Sequence, residues 1–266
     1  SLHADLFLDC TGFAAALIER RLGDRFIDWS GHLLCDSAVT LRPPHDGNFH
    51  PYTRAKAMSA GWCWRIPLRH RIGTGYVYSS RFIDHAAAAA ELQAHAGQPE
   101  AEPTRLAMKV GRREHFWVNN CVAIGLAAGF LEPLESTGIY LAQKSVERLL
   151  DYFPDLGFEP ELIARYNQRV AKEYDEARDF IVLHYLLNQR QNSEFWRAAR
   201  ELPPPDSLAA TLALYDRSGH VDWQGNSLFG DTAFHAIATG FQRLPQAAHG
   251  MVRQLRAEPA WEAMQR

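Results

Sequence analysis

A carboxylate, two hydroxyl groups and a glycine follow one another at Glu135, Ser136, Thr137 and Gly138. The residues before them, 122–126, are apolar and are typical of a short buried strand. Apolar residues after them recur at helical spacing, namely Ile139, Ala142, Val146, Leu149 and Phe153. The first turn of such a helix has free backbone N–H groups and the positive end of the helix dipole, which together favour an anion. Glu135 beside that anion site could act as a general base or acid.

The same four residues also fit a structural role. Ser136 or Thr137 could be the N-cap of the helix, and Gly138 could relax the turn. Glu132 lies three residues before Glu135 and directly before Pro133, so we expect its side chain to point elsewhere, although it could share the acid–base role. From the residues alone, the cap and the reactive site both remain open.

Composition excludes several classes of protein. The chain has 266 residues, a net charge of -3 and a pI near 6.4, which disfavours a nucleic-acid-binding protein because such proteins need a basic face. No apolar run approaches the roughly 18 residues of a membrane span, and no signal peptide opens the chain. We therefore expect a cytoplasmic protein without a membrane partner.

The cysteines and histidines predict no metal site. Four cysteines lie far apart in apolar segments without a C-x-x-C pair, namely Cys10, Cys35, Cys63 and Cys121. This spacing predicts buried, reduced thiols. The 12 histidines make no recognised metal-ligand spacing.

The predicted elements change character along the chain. Residues 4–22 indicate a strand, a glycine turn and a helix over 14–21. Alternating apolar and polar residues then predict an antiparallel sheet with strands over 33–41, 59–68 and 73–78. Asp84 should cap a helix that ends at Gly97, and a strand pair should follow over 105–117.

The last hundred residues are predicted to be helical. A long amphipathic helix begins at Pro160 and carries His184 and Tyr185 at the buried edge of its end. A polar loop over 188–193 separates it from a helix that Glu194 opens and three prolines at 203–205 break. Further helices should be joined at Gly219, Gly225, Gly230 and Pro245.

These elements predict an α/β (α+β) fold with an incomplete α/β domain, an inserted antiparallel sheet and a C-terminal helical domain. The predicted division assigns 1–28 and 116–155 to the incomplete α/β domain, 29–115 to the antiparallel sheet insertion and 156–266 to the mainly helical domain.

Two motifs carry a resemblance to a known family. The stretch from Asn120 to Tyr140, NCVAIGLAAGFLEPLESTGIY, resembles the signature of flavin-dependent tryptophan halogenases. The segment Gly61–Pro67, GWCWRIP, resembles their W-x-W-x-I-P element. Shorter matches in family order support the resemblance, at residues 4–13, 33–38, 51–53 and 75–80.

The resemblance implies an oxidoreductase that uses FADH2 and O2 to chlorinate or brominate an electron-rich aromatic. It also implies that the incomplete α/β domain, 1–28 and 116–155, is the remnant of an FAD-binding domain and that the helical domain, 156–266, holds the substrate pocket. FAD is implied in its reduced form, supplied by a diffusible flavin reductase, together with chloride or bromide. Hypohalous acid is the implied oxidant, and it travels through a tunnel to an indole or tryptophan-like substrate. A homodimer is a further expectation.

The resemblance also implies roles for individual residues. Glu135 matches the catalytic carboxylate, Thr137 and Gly138 the halide site, and Leu126 and Ile139 the flavin contact. The residues matching the substrate pocket are Ser136, His184, Tyr185, Phe195 and Trp196. Those matching the gating or structural element are Trp62, Trp64, Ile66 and Pro67, whose two tryptophans should project from one face of a strand.

The sequence departs from the family pattern in three places. His184 stands where a tyrosine is usual and Gln191 where a glutamate is usual, which favours an indole or another aromatic without the amino-acid zwitterion. The G-x-G-x-x-G fingerprint and the catalytic lysine belong to an N-terminal region that this chain does not match. The single G-x-G, at 73–75, lies in a strand-like run and is interpreted as a hairpin. A flavin-dependent aromatic monooxygenase and a non-catalytic fragment that does not bind FAD therefore remain alternatives.

Overall fold

The protein is described by a computed structural model over residues 3–48, 50–223 and 228–247. Within these ranges the strands are β1 Phe7–Asp9, β2 Phe26–Asp28, β3 Ser37–Leu41, β4 Arg54–Met58, β5 Gly61–Pro67, β6 Ile72–Tyr78, β7 Thr104–Ala107, β8 Gly111–Arg113, β9 Trp117–Val118, β10 Cys121–Ala123 and β11 Gly129–Phe130. The helices are α1 His85–Ala96, α2 Thr137–Asp151, α3 Pro160–Leu187, α4 Glu194–Glu201, α5 Asp206–Ser218 and α6 Asp231–Gly240. Short 3₁₀ turns lie at Gly12–Ala14, Gly125–Ala127 and Pro133–Glu135. The predicted α/β class is confirmed.

The largest sheet is antiparallel, as predicted. Its five strands run in the order β4-β5-β6-β3-β7, and β4 is a strand that the sequence patterns did not predict. Gly75 lies within β6 and faces the indole of Trp64, so the G-x-G segment is a strand rather than a nucleotide fingerprint. Helix α1 packs on this sheet with its predicted cap in place, since the Asp84 carboxylate accepts the Ala87 N–H at 2.8 Å.

The predicted helix over 14–21 is wrong. The Asp9 carboxylate, buried at the end of β1, accepts the backbone N–H groups of Thr11, Leu17 and Ile18. Ala15 adopts a left-handed conformation with φ 40, which a continuous helix excludes. The segment is therefore a 3₁₀ turn followed by irregular turns around a carboxylate.

Two small sheets connect distant parts of the chain. β1 pairs in parallel with β10, so residues 7–9 lie beside 121–123, and β9 extends that sheet. Two strands that the predicted division assigns to the same domain are therefore neighbours. The other sheet joins β2, β8 and β11, and it crosses the predicted boundary between the sheet insertion and the second part of the FAD-binding domain. The division into domains stays a prediction.

The buried face of α2 differs from the predicted one. Leu141, Ser145 and Leu149 are buried against α3, whereas Ile139 is 78% and Phe153 59% exposed. Val146, also assigned to the buried face, is exposed, and Ala142 is half-buried. Because apolar residues occur on both sides of α2, periodicity does not identify the side that the fold covers.

The helical segment follows the sequence prediction closely. α3 is a single 28-residue helix, anchored to β9 by Asn167, whose amide oxygen accepts the N–H groups of Phe116 and Trp117. Ser193 caps α4, and Gly219 ends α5. The predicted junction at Gly225 and the end of the chain from residue 248 lie outside the described residues.

Two further findings concern the helices and the cysteines. None of the helices in the described ranges is long and apolar enough to cross a membrane. All four cysteines are free thiols, and Cys10 is exposed rather than buried because it follows the last residue of β1.

Candidate functional site

The turn that carries the predicted reactive residues is a 3₁₀ turn followed directly by α2. Ser136 links them in a left-handed conformation with φ 56 and makes no side-chain bond to the helix, and neither does Thr137. Gly138 has no left-handed φ, and open space surrounds the position of its missing Cβ. Ser136 is therefore the N-cap residue by position, as one of the predicted alternatives had it, but its hydroxyl does not cap the helix. The unusual backbone conformation is at Ser136 and not at Gly138.

Glu135 contacts the end of α3. Its Oε1 lies 2.9 Å from Nε2 of His184, and the two side chains are 30% and 15% exposed. The other ring nitrogen of His184, Nδ1, lies 2.8 Å from the carbonyl oxygen of Phe180. The predicted catalytic carboxylate and the predicted substrate-contacting histidine therefore touch one another.

Glu132, at the other end of the same turn, points into the interior. Its Oε1 accepts the Trp62 indole N–H at 3.0 Å and the Tyr185 hydroxyl at 2.5 Å, and it is fully buried. Burial raises the pKa of Glu132 to about 7, although the bonds from Tyr185 and Trp62 lower it. The hydroxyl of Tyr185 also lies 3.5 Å from Sγ of Cys35. As expected, Glu132 does not share the environment of Glu135.

A cavity of about 310 Å³ lies beside this turn. It is lined by one side of the large sheet, the end of α3 and the residues that follow it: Ala55, Lys56, Ala57, Trp62, Leu134, His184, Tyr185, Asn188, Arg190, Trp196 and Phe241. Glu135 is not among these residues, and it meets the cavity wall through its contact with His184. The volume is in the range of small-molecule sites.

Aromatic rings form much of the cavity wall. Trp196 stacks on Tyr185 with ring centroids 5.7 Å apart, and its indole N–H donates to the carbonyl of Met58 at 2.8 Å. Phe195 packs edge-on against both rings from the core and does not line the cavity. Of the predicted aromatic pair, Trp196 is therefore the member exposed to a ligand.

The two tryptophans of β5 lie on the same face of the strand, as predicted, with centroids 6.0 Å apart. Trp62 lines the cavity and donates to Glu132, whereas Trp64 covers Gly75. Ile66 and Pro67 are half-buried at the end of the strand, away from the cavity.

The start of α2 has the features of an anion site. Thr137 is 1% exposed, and its Oγ1 has no hydrogen-bond partner among the described residues. The adjacent Gly138 is exposed, as are Ile139 and Leu126, the latter at 42%. The predicted halide and flavin contacts are therefore neighbours at an accessible helix N-terminus.

Several residues of the site are not apparent from the sequence. The bond from Trp62 to Glu132 joins two recognised motifs 70 residues apart. In the sequence, the only signal for this contact is that both motifs occur in one chain. Lys56 and Arg190 line the cavity without any motif. Gln191, which stands where the family usually has a glutamate, is exposed and does not line the cavity.

An α/β chain with an acid at an aromatic cavity and an anion site at a helix start has the features of a flavin-dependent halogenase. The family profile described as tryptophan halogenase matches residues 1–257. The chain belongs to the tryptophan halogenase family, and the resemblance noted from its motifs is confirmed.

Named relatives agree with this assignment. The tryptophan 7-halogenase KtzQ of Kutzneria sp. (strain 744) is 47% identical over 220 residues, which cover 81% of this chain and 41% of the relative. The tryptophan 7-halogenase RebH of Lentzea aerocolonigenes is 43% identical over 80% of this chain and 41% of its own length. Among solved structures, BrvH, a flavin-dependent halogenase from Brevundimonas sp. BAL3, has a TM-score of 0.91 at 41% identity and matches 99% of this chain and 54% of BrvH. The chain thus spans about half the length of these relatives.

Proposed function

We propose that the intact gene product halogenates an electron-rich aromatic ring of the indole type, using reduced FAD, O2 and chloride or bromide. The observation that carries this proposal is the contact of Glu135 with His184 on the wall of an aromatic cavity. Reduced FAD with O2 supplies the oxidising power that converts the halide to hypohalous acid, and a separate flavin reductase supplies the reduced FAD. A cytoplasmic location and a homodimer stay predictions.

The residues at the start of α2 fit the halide and part of the flavin site. The unpartnered Thr137 hydroxyl can donate to a halide, and the backbone N–H of Gly138 lies in the first turn of the helix. Leu126 and Ile139 present exposed apolar side chains that suit the edge of a flat ring system. Together they would hold the halide next to the flavin.

The cavity favours a flat, uncharged or anionic substrate. Trp62, Tyr185 and Trp196 provide rings against which an indole can stack or pack edge-on. Among the described lining residues there is no Asp or Glu to bind an ammonium group, whereas Lys56 and Arg190 are both cationic. This charge supports the expectation that free tryptophan is not the preferred substrate.

Glu135 would act on the substrate after the electrophile has added. Attack on an indole ring gives a cationic intermediate, which regains aromaticity by losing a ring proton. A carboxylate at that position stabilises the positive charge and accepts the proton. Buried Tyr185 keeps its proton, because burial raises its pKa well above the usual value, so it is a hydrogen-bond donor and not a base.

The test is a halogenation assay of the intact gene product with reduced FAD, O2 and either halide. Indole and tryptophan compete in one reaction, and mass spectrometry identifies products in which one hydrogen is replaced by a halogen. The proposal expects halide-dependent product, with a higher kcat/KM for indole. Hydroxylated product without halogen would favour the monooxygenase alternative, and a higher kcat/KM for tryptophan would contradict the substrate assignment.

A further inference from the structure

The contacts of His184 determine where its protons are. Nδ1 lies 2.8 Å from the Phe180 carbonyl oxygen, which can only accept, so Nδ1 carries a hydrogen. In the neutral ring, Nε2 then has a lone pair. That lone pair would face Oε1 of Glu135 at 2.9 Å, where two acceptors repel one another. The contact therefore requires one proton between Nε2 and Oε1.

We propose that His184 is a positioning residue for Glu135 and that the two side chains work as one proton-sharing pair. This inference rests on the proposed function, since it assigns a role within that reaction. Both ring nitrogens are engaged, so the imidazole does not take the substrate's proton directly. It holds Oε1 of Glu135 and stabilises the negative charge of the carboxylate.

The second carboxylate oxygen of Glu135 makes no hydrogen bond to the described part of the protein and is the acceptor. In the proposed resting pair, the shared proton lies on Nε2 of His184 and Oε1 of Glu135 accepts it. When the ring C–H bond breaks, its electron pair returns to the ring and the proton goes to the free oxygen of Glu135. One proton then leaves the pair for water, which restores the resting charge.

The ring of His184 is fixed well enough for this role. Phe180 packs edge-on against it with centroids 4.9 Å apart, and only 15% of the side chain is exposed. The other titratable or charged groups at this end of the cavity are Glu132, Tyr185, Lys56 and Arg190. Of these, Glu132 has a pKa near 7 and is the group whose titration must be separated from that of the pair.

Nitrogen NMR of the intact gene product tests the shared proton. We expect both ring nitrogens of His184 to be protonated at neutral pH in the wild type, and the Nε2 proton to be lost in Glu135→Gln. A neutral His184 ring in the wild type would overturn the proposal. This readout does not depend on turnover.

Kinetics test the positioning role. His184→Phe keeps the ring against Phe180 and should lower kcat at least about tenfold with KM changed less than about threefold. His184→Gln keeps an N–H donor and should restore much of kcat. In the wild type, loss of the shared proton should lower the rate at alkaline pH. This fall should be absent from His184→Gln and present in Glu132→Gln.

His115→Phe is the matched control, because Nδ1 of His115 also lies 2.9 Å from a carboxylate, that of Asp24, at a site where His115 is 55% exposed. It should leave kcat and its pH profile unchanged. Wild-type kcat and pH profile in His184→Phe would overturn the positioning role. Absence of halogenated product from the wild type would overturn the proposed function itself. The NMR result would still decide whether Glu135 and His184 share a proton.

Discussion

Glu132 directly precedes the 3₁₀ turn at Pro133–Glu135 and Glu135 is its last residue. Both side chains reach the end of α3, yet their surroundings differ. Glu132 is fully buried, and its partners are two neutral donors, the Trp62 indole and the Tyr185 hydroxyl. Glu135 is 30% exposed, and its partner is a histidine that can carry charge. Three residues along the chain thus separate a buried carboxyl, whose pKa is raised to about 7, from a partly exposed one that contacts a histidine.

The difference shows how one short segment can serve structure and chemistry at once. Burial disfavours the charged form of Glu132, and this group accepts hydrogen bonds from two aromatic side chains, Trp62 and Tyr185, that line the cavity. Glu135 is partly exposed and contacts His184, so it can be reached by a ligand, as a base must be. The comparison leads to four predictions, from the largest effect to the smallest.

Glu135→Gln keeps the shape of the side chain and removes its charge. In the intact gene product we expect halogenated product to form ~10²-fold more slowly or worse, because the lost interaction acts mainly in the transition state. Consumption of reduced FAD by O2 should be nearly unchanged. Single-turnover product formation and flavin absorbance on one preparation measure both, and unchanged turnover would remove the distinction between the two carboxyls.

Glu132→Gln should change the pH dependence of stability. The pKa of Glu132 rises from 4.5 to about 7 on folding, so the native state holds a proton that the unfolded state has lost. Wild-type stability therefore falls as pH rises from about 4.5 to about 7, by up to about 3 kcal/mol at 1.36 kcal/mol per pKa unit. The variant has no carboxyl at this position and lacks this loss of stability. The difference in unfolding free energy, variant minus wild type, should therefore increase as pH rises from about 4.5 to about 7.

Urea denaturation at several pH values measures the difference. Buried Glu173 and Asp179, whose pKa values burial also raises, occur in both proteins and cancel. Glu100→Gln, at an exposed carboxyl, is the matched control and should show no such increase. A constant difference between wild type and Glu132→Gln from pH 4 to pH 8 would contradict the assignment.

Trp62→Phe removes the indole N–H that donates to Glu132. A buried acceptor that loses a donor costs roughly 1–3 kcal/mol, so we expect a loss of unfolding free energy in that range. Trp64→Phe is the comparison, because this ring is half-buried and makes no bond to a carboxylate in the described structure, and its loss should be about half as large. Equal losses of unfolding free energy in the two variants would mean that packing, and not the hydrogen bond to Glu132, accounts for the contribution of Trp62.

Gly138→Ala gives the smallest expected effect. The position has helical geometry with free space for a Cβ, so alanine should stabilise the protein by about 0.5–1 kcal/mol through helix propensity. A lower melting temperature would show that the turn needs glycine at this position.

The sequence was most informative where structure depends on neighbours in the chain. Asp84 and Gly97 predicted both ends of α1, since capping uses residues within one turn of the helix. The predicted helix after β1 failed because the buried carboxylate of Asp9 competes for its N–H groups, a contact that local propensity does not contain.

The candidate site was predictable as a set of residues but not as an arrangement. The motifs identified Glu135 and His184 separately, and only the fold brings their side chains to 2.9 Å. The contact of Trp62 with Glu132 spans 70 residues, and the burial that raises the pKa of Glu132 arises where Trp62, Tyr185 and Cys35 meet around it. The buried face of α2 was also predicted wrongly, because apolar residues lie on both sides of this helix.

The length of α3 has a consequence for how the molecule opens. Asn167 fastens this helix to the backbone of β9, and Tyr185 lies 18 residues further along, or about 27 Å at 1.5 Å per residue. The small sheet of β1, β10 and β9 and the cavity wall are thus attached to one continuous helix. Amide hydrogens in β9 and at the cavity end of α3 should therefore exchange with solvent through a common opening, as members of one cooperative unit.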